Sequence, residues 1–407
     1  MKIEKPMYSQ SIIKRLGDYC NIILGQSPPS NTYNSKGIGL PFFQGKAEFG
    51  DLHPIAIKWC SLPGKIALPN DILISVRAPV GSTNIADQKC CIGRGLAAIR
   101  HKNYKYIYYF LKSIENKINE LGTGTTFKAI TGNTLKDILI PIPPDHEQHL
   151  IVEKIEELFS ELEAGQRQLE TVKQQMNTYR QAVLKWAFEG KLNKVTINEL
   201  LWKQTKFGDV VSEFVRGPFG SSLKKEYFTK TGYKVYEQKN AIYQSVELGK
   251  YYISEEKFQE LKRFEIKPND YIISCSGTIG RLFQIPETAP KGLINQALLI
   301  IRINREKILD KYFKYLFTFD GFQKLIIKDA KGTAMLNLAG VKEMKEVPLI
   351  LPPIKEQERL IQILETRLSV CDKIKDSIDF SLNKSEALKH AILKQAFEGT
   401  LIKPQIN

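Results

Sequence analysis

Pro143-Pro144-Asp145-His146-Glu147-Gln148 opens a stretch that closes on Lys185-Trp186-Ala187-Phe188-Glu189-Gly190-Lys191-Leu192. Pro352-Pro353-Ile354-Lys355-Glu356-Gln357 opens another, closing on Lys394-Gln395-Ala396-Phe397-Glu398-Gly399-Thr400-Leu401. The two align without a gap at an offset of 209 residues. Within the first, Ile155, Leu158, Leu162, Gly165, Leu169, Val172, Met176, Tyr179, Val183 and Trp186 recur in alternating steps of three and four. Within the second, Leu360, Leu364, Arg367, Cys371, Ile374, Ile378, Ser381, Ser385, Leu388, Ile392 and Gln395 keep the same period with a weaker middle. A 3.5-residue repeat held over about five heptads is a coiled-coil seam. Each Pro-Pro pair marks a helix start, and neither stretch has an internal proline. At ~1.5 Å per residue, a helix of roughly 40 residues is about 60 Å long. Two such seams in one chain predict an antiparallel intramolecular coiled coil with a globular domain at each end. Packing of each helix on its own domain, or pairing between chains, satisfies the same seam.

Weaker echoes precede the ungapped repeat. Leu16-Gly17-Asp18 matches Phe207-Gly208-Asp209, and Pro69-Asn70-Asp71 matches Pro268-Asn269-Asp270. Ile92 to Arg100 matches Ile294 to Arg302, and Gly124-Thr125 through Gly132 matches Gly332-Thr333 through Gly340. The offset climbs from 191 to 209 without falling back, as two copies of one fold with small insertions require. The reading is an α+β fold with pseudo-two-fold symmetry: globular domains at 1–142 and 196–351, repeated helical segments at 143–195 and 352–407. Each globular domain reads as short strands between Gly, Pro and Asn turns. Ile72-Leu73-Ile74-Ser75-Val76 and Tyr271-Ile272-Ile273-Ser274-Cys275 each follow a Pro-Asn-Asp turn. A short helix is expected near Tyr106–Glu120 and again near Lys311–Lys328.

A chain of 407 residues exceeds one ordinary core. Its formal net charge of +15 favours a polyanionic partner, most commonly nucleic acid. No apolar run reaches membrane-span length, and the six cysteines show no Cys-x-x-Cys spacing. They read as reduced, buried thiols of a cytoplasmic protein. There is no Gly-x-x-x-x-Gly-Lys-Ser/Thr phosphate loop, no Asn/Asp-Pro-Pro-Tyr/Phe methyltransferase motif and no histidine cluster for a metal. No catalytic constellation is expected. Asp71 with Asp87 and Lys89 superficially fits a metal-dependent nuclease, but the second copy keeps only Pro268-Asn269-Asp270, which a turn into a strand explains.

Ile23-Leu24-Gly25-Gln26-Ser27-Pro28-Pro29 and Arg216-Gly217-Pro218-Phe219-Gly220-Ser221-Ser222-Leu223 resemble the two openings of target recognition domains in one family. Pro-Pro-x-x-Glu-Gln, the heptads and Ala-Phe-Glu-Gly-x-Leu resemble that family's helical spacer, present twice. The chain resembles, from about Leu16 to Leu401, the specificity subunit of type I restriction–modification systems. The resemblance implies a non-catalytic DNA-reading scaffold, in which each target recognition domain reads one half of a split, asymmetric target. The helices would dock two modification (methyltransferase) subunits and allow recruitment of two translocating nuclease subunits. S-adenosylmethionine, ATP and Mg would belong to those partners, with no cofactor bound by this chain. A stand-alone nuclease and a protein-only coiled-coil scaffold are the competing readings.

Polar, basic and Gly-rich segments matched between the halves are the candidate DNA contacts. In the first half they are Gln26, Ser27, Gln44, Lys46, Arg77, Thr125 and Lys128. In the second they are Arg216, Ser221, Ser222, Gln238, Lys239, Asn240, Ser276, Arg281, Thr333 and Asn337. Arg pairs bidentately with guanine and Gln or Asn with adenine, while Lys, Ser and Thr suit phosphates. Turns that merely hold the fold account for the same residues equally. Gly81, Gly280, Gly132 and Gly340 read as turn glycines. Phe188 and Phe397, equivalent at the two helix ends, either cap the bundle or anchor a partner helix, and a partner bound there binds twice.

Overall fold

The run Ala297-Leu298-Leu299-Ile300-Ile301 has no polar face to turn toward water, and the fold covers both of its faces. The computed structural model describes residues 11–124, 128–191, 202–329 and 336–402. They divide into two units, Met1–Glu170 with Ile378–Asn407, and Thr171–Ser377.

In the first unit a four-stranded antiparallel sheet runs in the order Asn21–Leu24, Leu96–Arg100, Ile72–Ser75, Thr83–Ile85. A second sheet is centred on Leu40–Phe43, which pairs in parallel with Cys90–Ile92. In the second unit the first sheet repeats as Val211–Arg216, Leu298–Ile303, Tyr271–Ser274, Leu282–Gln284. Its second sheet again holds a parallel pair, Tyr233–Tyr236 with Gly292–Ile294. Alternation splits each central strand between two cores. Tyr271, Ile273, Leu299 and Ile301 join one, while Ile272, Leu298 and Ile300 join the other. Ile72, Ile74, Ala97 and Ile99 separate in the same way from Leu73, Leu96 and Ala98. Strands buried on both faces read as unbroken apolar runs.

The expected short helix is two helices in each unit. Tyr104–Ser113 is followed by Glu115–Glu120, and Asp310–Thr318 by Asp320–Ile326. In the second unit the break is Phe319, whose extended backbone carries its ring onto Phe188 at 5.5 Å. Packing of one aromatic pair overrides continued helix there.

The long helices run Asp145–Phe188 and Ile354–Phe397. The repeated Gln explains itself at their starts. Gln148 Nε2 donates to the Pro143 carbonyl at 2.8 Å while its Oε1 accepts from Asn103 Nδ2 at 2.9 Å. Gln357 Nε2 donates to Pro352 at 3.0 Å and Lys307 at 2.8 Å, and its Oε1 accepts from the Leu309 amide at 2.9 Å. One buried amide thus ties each helix start to its globular domain, closing groups that burial would otherwise leave unpaired. The helices stop identically. Gly190 (φ 71°) and Gly399 (φ 73°) take the left-handed turn, and the next amides, Lys191 and Thr400, bond back to Trp186 and Gln395.

The two helices pair antiparallel within each unit. In the first, Gln166 Nε2 reaches Glu386 at 3.3 Å and Lys389 reaches Glu163 at 3.7 Å. In the second, Arg180 reaches Asp372 at 2.7 Å. Glu163 and Asp372 stand 209 residues apart, as do Arg180 and Lys389, so one ion pair occurs twice. The expected antiparallel pairing within the chain is present, and the helices also pack on the globular domains at their ends. The seam itself is shorter than its sequence period. Ile155, Val183, Leu360 and Leu364 are fully buried, but Trp186 is 47% exposed and Leu388 40%. At their last turns the helices instead bury Leu184, Ala187, Phe188 and Leu393, Ala396, Phe397 against the globular domains.

Phe188 and Phe397 therefore correct one expectation. They are core anchors, not surfaces for a partner. Phe397 lies 5.4 Å from Tyr106 and from Phe110, and Phe188 lies 5.3 Å from Tyr312. Truncating such a ring costs about 3–5 kcal/mol.

Candidate nucleic-acid interface

The candidate residues of the first unit converge where three loops meet. Gly25 donates to the Leu96 carbonyl and Gln26 to Ile92. Ser27 Oγ accepts from the Arg94 amide at 3.2 Å. A Cβ on Gly95 would overlap the Gln44 carbonyl, so the segment around Gln44 presses directly on this loop. The Val76 amide bonds the Gly95 carbonyl at 2.9 Å, which brings in Arg77; Ala78 bonds Lys128 O at 2.9 Å, which brings in Lys128. Gln26, Gln44, Lys46, Arg77, Arg94 and Lys128 are exposed, and Ser27 is half-buried. Thr125 lies outside the described residues.

The second unit builds the same meeting of loops. Gly217 donates to Leu298, Cys275 to Ala297 and Asn295 to Tyr236. Gln238 and Ser276 are bonded to each other, with Ser276 Oγ donating to Gln238 Oε1 at 3.1 Å. Arg216 and Ser221 are exposed, and Ser222 is half-buried in the turn Gly220–Ser222. Phe219, at the head of that turn, is 86% exposed. Pro29 heads the equivalent turn, Ser30–Thr32, in the first unit. Thr333 lies outside the described residues. Asn337 is exposed on Leu336–Leu338, in register with Lys328.

Three candidates are corrected or qualified. Asn240 is fully buried; its Nδ2 donates to Ser245 O and Leu248 O and its Oδ1 accepts from the Glu237 amide. It fixes a loop and leaves no polar atom for a base. Lys239 is ion-paired with Glu237 at 2.9 Å. Arg281 lines a recess of about 850 Å³ with Arg180, Lys314, Tyr315 and Gln323, apart from Gln238 and Ser276. Two exposed residues outside the candidate set, Arg94 and Gln296, hold equivalent places in the matched segments Ile92–Arg100 and Ile294–Arg302, at a position where the two copies differ.

Asp71, considered for catalysis, holds a turn, as does its counterpart Asp270. Asp71 is 1% exposed; its carboxylate accepts from the Leu68 amide at 2.8 Å and from Arg100 at 2.7 and 2.8 Å. Asp270 repeats this with the Lys267 amide at 2.8 Å and Arg302 at 2.9 and 3.0 Å. The preceding asparagines, Asn70 and Asn269, both take positive φ (71° and 68°), which completes the turn into each central strand. Asp87 and Lys89 are exposed. Among the described residues no three His, Cys, Asp or Glu side chains stand together as metal ligands. Burial pushes the Cys275 thiol up to about 12, although Arg216 nearby favours the thiolate; Cys20 and Cys90 rise to about 12 by burial as well. The tips offer open hydrogen-bonding groups and positive charge, which suits reading a surface. Among the described residues no helix is long and apolar enough to cross a membrane.

Residues 9–174 and 200–382 each match the type I restriction modification DNA specificity domain. A Methanocaldococcus jannaschii protein, provisionally named type I restriction enzyme MjaX specificity subunit, is 42% identical over 182 residues, 44% of this chain and 42% of that protein's length. The type I restriction enzyme EcoBI specificity subunit of Escherichia coli is 25% identical over 355 residues, 82% of this chain and 74% of its own. A chain solved in a study of complex assembly and conformational transition of the type I R-M system superposes with a TM-score of 0.71. That match covers 96% of this chain and 98% of that one and, at 17% identity, shows the shared fold alone. Two copies of the specificity domain, on two equivalently built units joined by repeated helices, place this chain in the type I restriction–modification DNA specificity family.

Proposed function

We propose that the chain is the DNA-reading subunit of a type I restriction–modification complex, and that each unit reads one half of a split target. The observation that carries this is the pair of loop clusters: one backbone arrangement, built twice, bearing different exposed polar groups. Unlike tips on a common frame read unlike half-sites, so the target is asymmetric. The catalysis belongs to the partners. Two methyltransferase subunits would carry S-adenosylmethionine, and two translocating nuclease subunits would carry ATP and Mg.

With Phe188 and Phe397 buried, the docking of methyltransferase subunits falls to exposed apolar residues of the long helices. Tyr179, 42% exposed, and Leu388, 40% exposed, occupy equivalent positions 209 residues apart. A partner that binds one therefore finds the other. Tyr179→Ser with Leu388→Ser should abolish co-purification of the methyltransferase, and unchanged co-purification would refute the assignment.

Mapping methylated adenines in genomic DNA from cells with and without this gene tests the function. The expected result is a two-part asymmetric motif with a fixed gap that vanishes with the gene. An unchanged methylation map in cells that also hold the partner subunits would count against it. A protein-only scaffold predicts DNA affinity insensitive to salt, whereas a reader contacting several phosphates loses affinity steeply as salt rises. A nuclease predicts plasmid cleavage with magnesium that Asp71→Ala removes.

A further inference from the structure

We infer that Arg94 and Gln296 are equivalent specificity-determining residues, Arg94 reading a guanine in one half-site and Gln296 an adenine in the other. The inference rests on the DNA-reading function proposed above. Both residues stand at the apex of the loop entering the central strand, one in each unit. Leu96 bonds back to Gly93 at 3.0 Å, and Leu298 bonds back to Asn295 at 3.2 Å. Gly93 donates to Phe43 O, and Asn295 to Tyr236 O. A Cβ on Gly25 would overlap the Gly93 carbonyl, and one on Gly217 would overlap the Asn295 carbonyl. The opening strand thus presses on the same loop atom in both units. Each apex is held on two sides by backbone, and what differs is the side chain it presents.

The chemistry of those side chains differs in the way that base edges differ. Other arginines of the same strands, Arg100 and Arg302, are committed to Asp71 and Asp270. Among the described residues the Arg94 guanidinium and the Gln296 amide form no hydrogen bond or ion pair, and both are exposed. A free guanidinium fork matches guanine O6 and N7, and a carboxamide matches adenine N6 and N7. Both side chains project from fixed backbone, so binding has to order the side chains alone. Gln44 and Gln238 are the same residue at equivalent places and cannot distinguish the halves; Arg94 and Gln296 can.

The test is selection of bound duplexes from a randomised pool by the chain in its methyltransferase complex, comparing wild type, Arg94→Gln, Arg94→Lys and Gln296→Arg. The wild type should prefer guanine over adenine about 5- to 150-fold at one position of one half-site. Arg94→Gln should move that position toward adenine and leave the other half-site untouched. Gln296→Arg should do the reverse in the other half-site. Arg94→Lys should keep overall salt dependence and weaken the preference without moving it to adenine, because an ammonium still donates to guanine but lacks the planar fork. Unchanged preferences in Arg94→Gln would overturn the inference while leaving the DNA-reading function intact. So would an equal loss on all sequences with a shallower salt dependence, the mark of a phosphate contact. A wild type that selects no motif sinks both.

Discussion

The two units agree in their frames and differ at their tips. Asp71 with Arg100 and Asp270 with Arg302 brace the same turn against the same strand. Gln148 and Gln357 fasten the same helix start, and Phe397 and Phe188 fill the same place beneath it. At the tips Arg94 faces Gln296 in the alignment, Pro29 faces Phe219 and Arg77 faces Ser276. Repeated contacts are those that folding needs twice; unrepeated ones are free to serve recognition. The comparison also divides the arginines by role, since Arg100 and Arg302, paired with the turn carboxylates, are repeated, and Arg77 and Arg94 at the tips are not.

The frame should break most severely where it is most buried. Phe397→Ala or Phe188→Ala should destabilise its own unit by about 3–5 kcal/mol in urea unfolding of the full chain. A loss below about 1 kcal/mol would show the rings to be free surface after all. Asp71→Ala, which leaves Arg100 without a carboxylate, and Asp270→Ala, which leaves Arg302 only Glu213, should each cost about 2–3 kcal/mol. A loss below about 1 kcal/mol in both would contradict the reading of these pairs as braces of the turn.

The tips should behave oppositely. Phe219→Ala should leave unfolding within about 0.5 kcal/mol yet weaken specific DNA binding by about 1–2 kcal/mol as its ring loses an apolar contact. Equal effects on folding and binding would place it in the frame. Lys46→Ala and Lys128→Ala should each lower the salt slope of DNA affinity by about one without changing the selected sequence. Smallest of all are the exposed ion pairs of the helices. Arg180→Ala and Lys389→Ala should each cost less than about 1 kcal/mol, and by similar amounts.

Much of this was legible in the sequence because it was written twice. The helix bounds, the antiparallel pairing, the turn before each central strand and the shared fold all follow from the repeat. The failures have one physical source, which is that a matched residue can be matched for packing. Phe188 and Phe397 recur because each fills a core, and Asn240 is polar because a tight loop needs its amide. Trp186 keeps the heptad period but is left exposed where the helix turns its neighbouring face to the globular domain. Arg94 and Gln296 escaped notice for the opposite reason. A search for matches passes over the position where the two copies disagree, and the proposed reading places specificity at such a position.

The central claim is that each unit reads its own half-site through its tip. Its most direct test is adenine-methylation mapping with a chain in which the first globular segment is replaced by a second copy of residues 203–351. Two identical half-sites across a fixed gap are expected. Retention of the original asymmetric motif by the folded chimera would contradict the account.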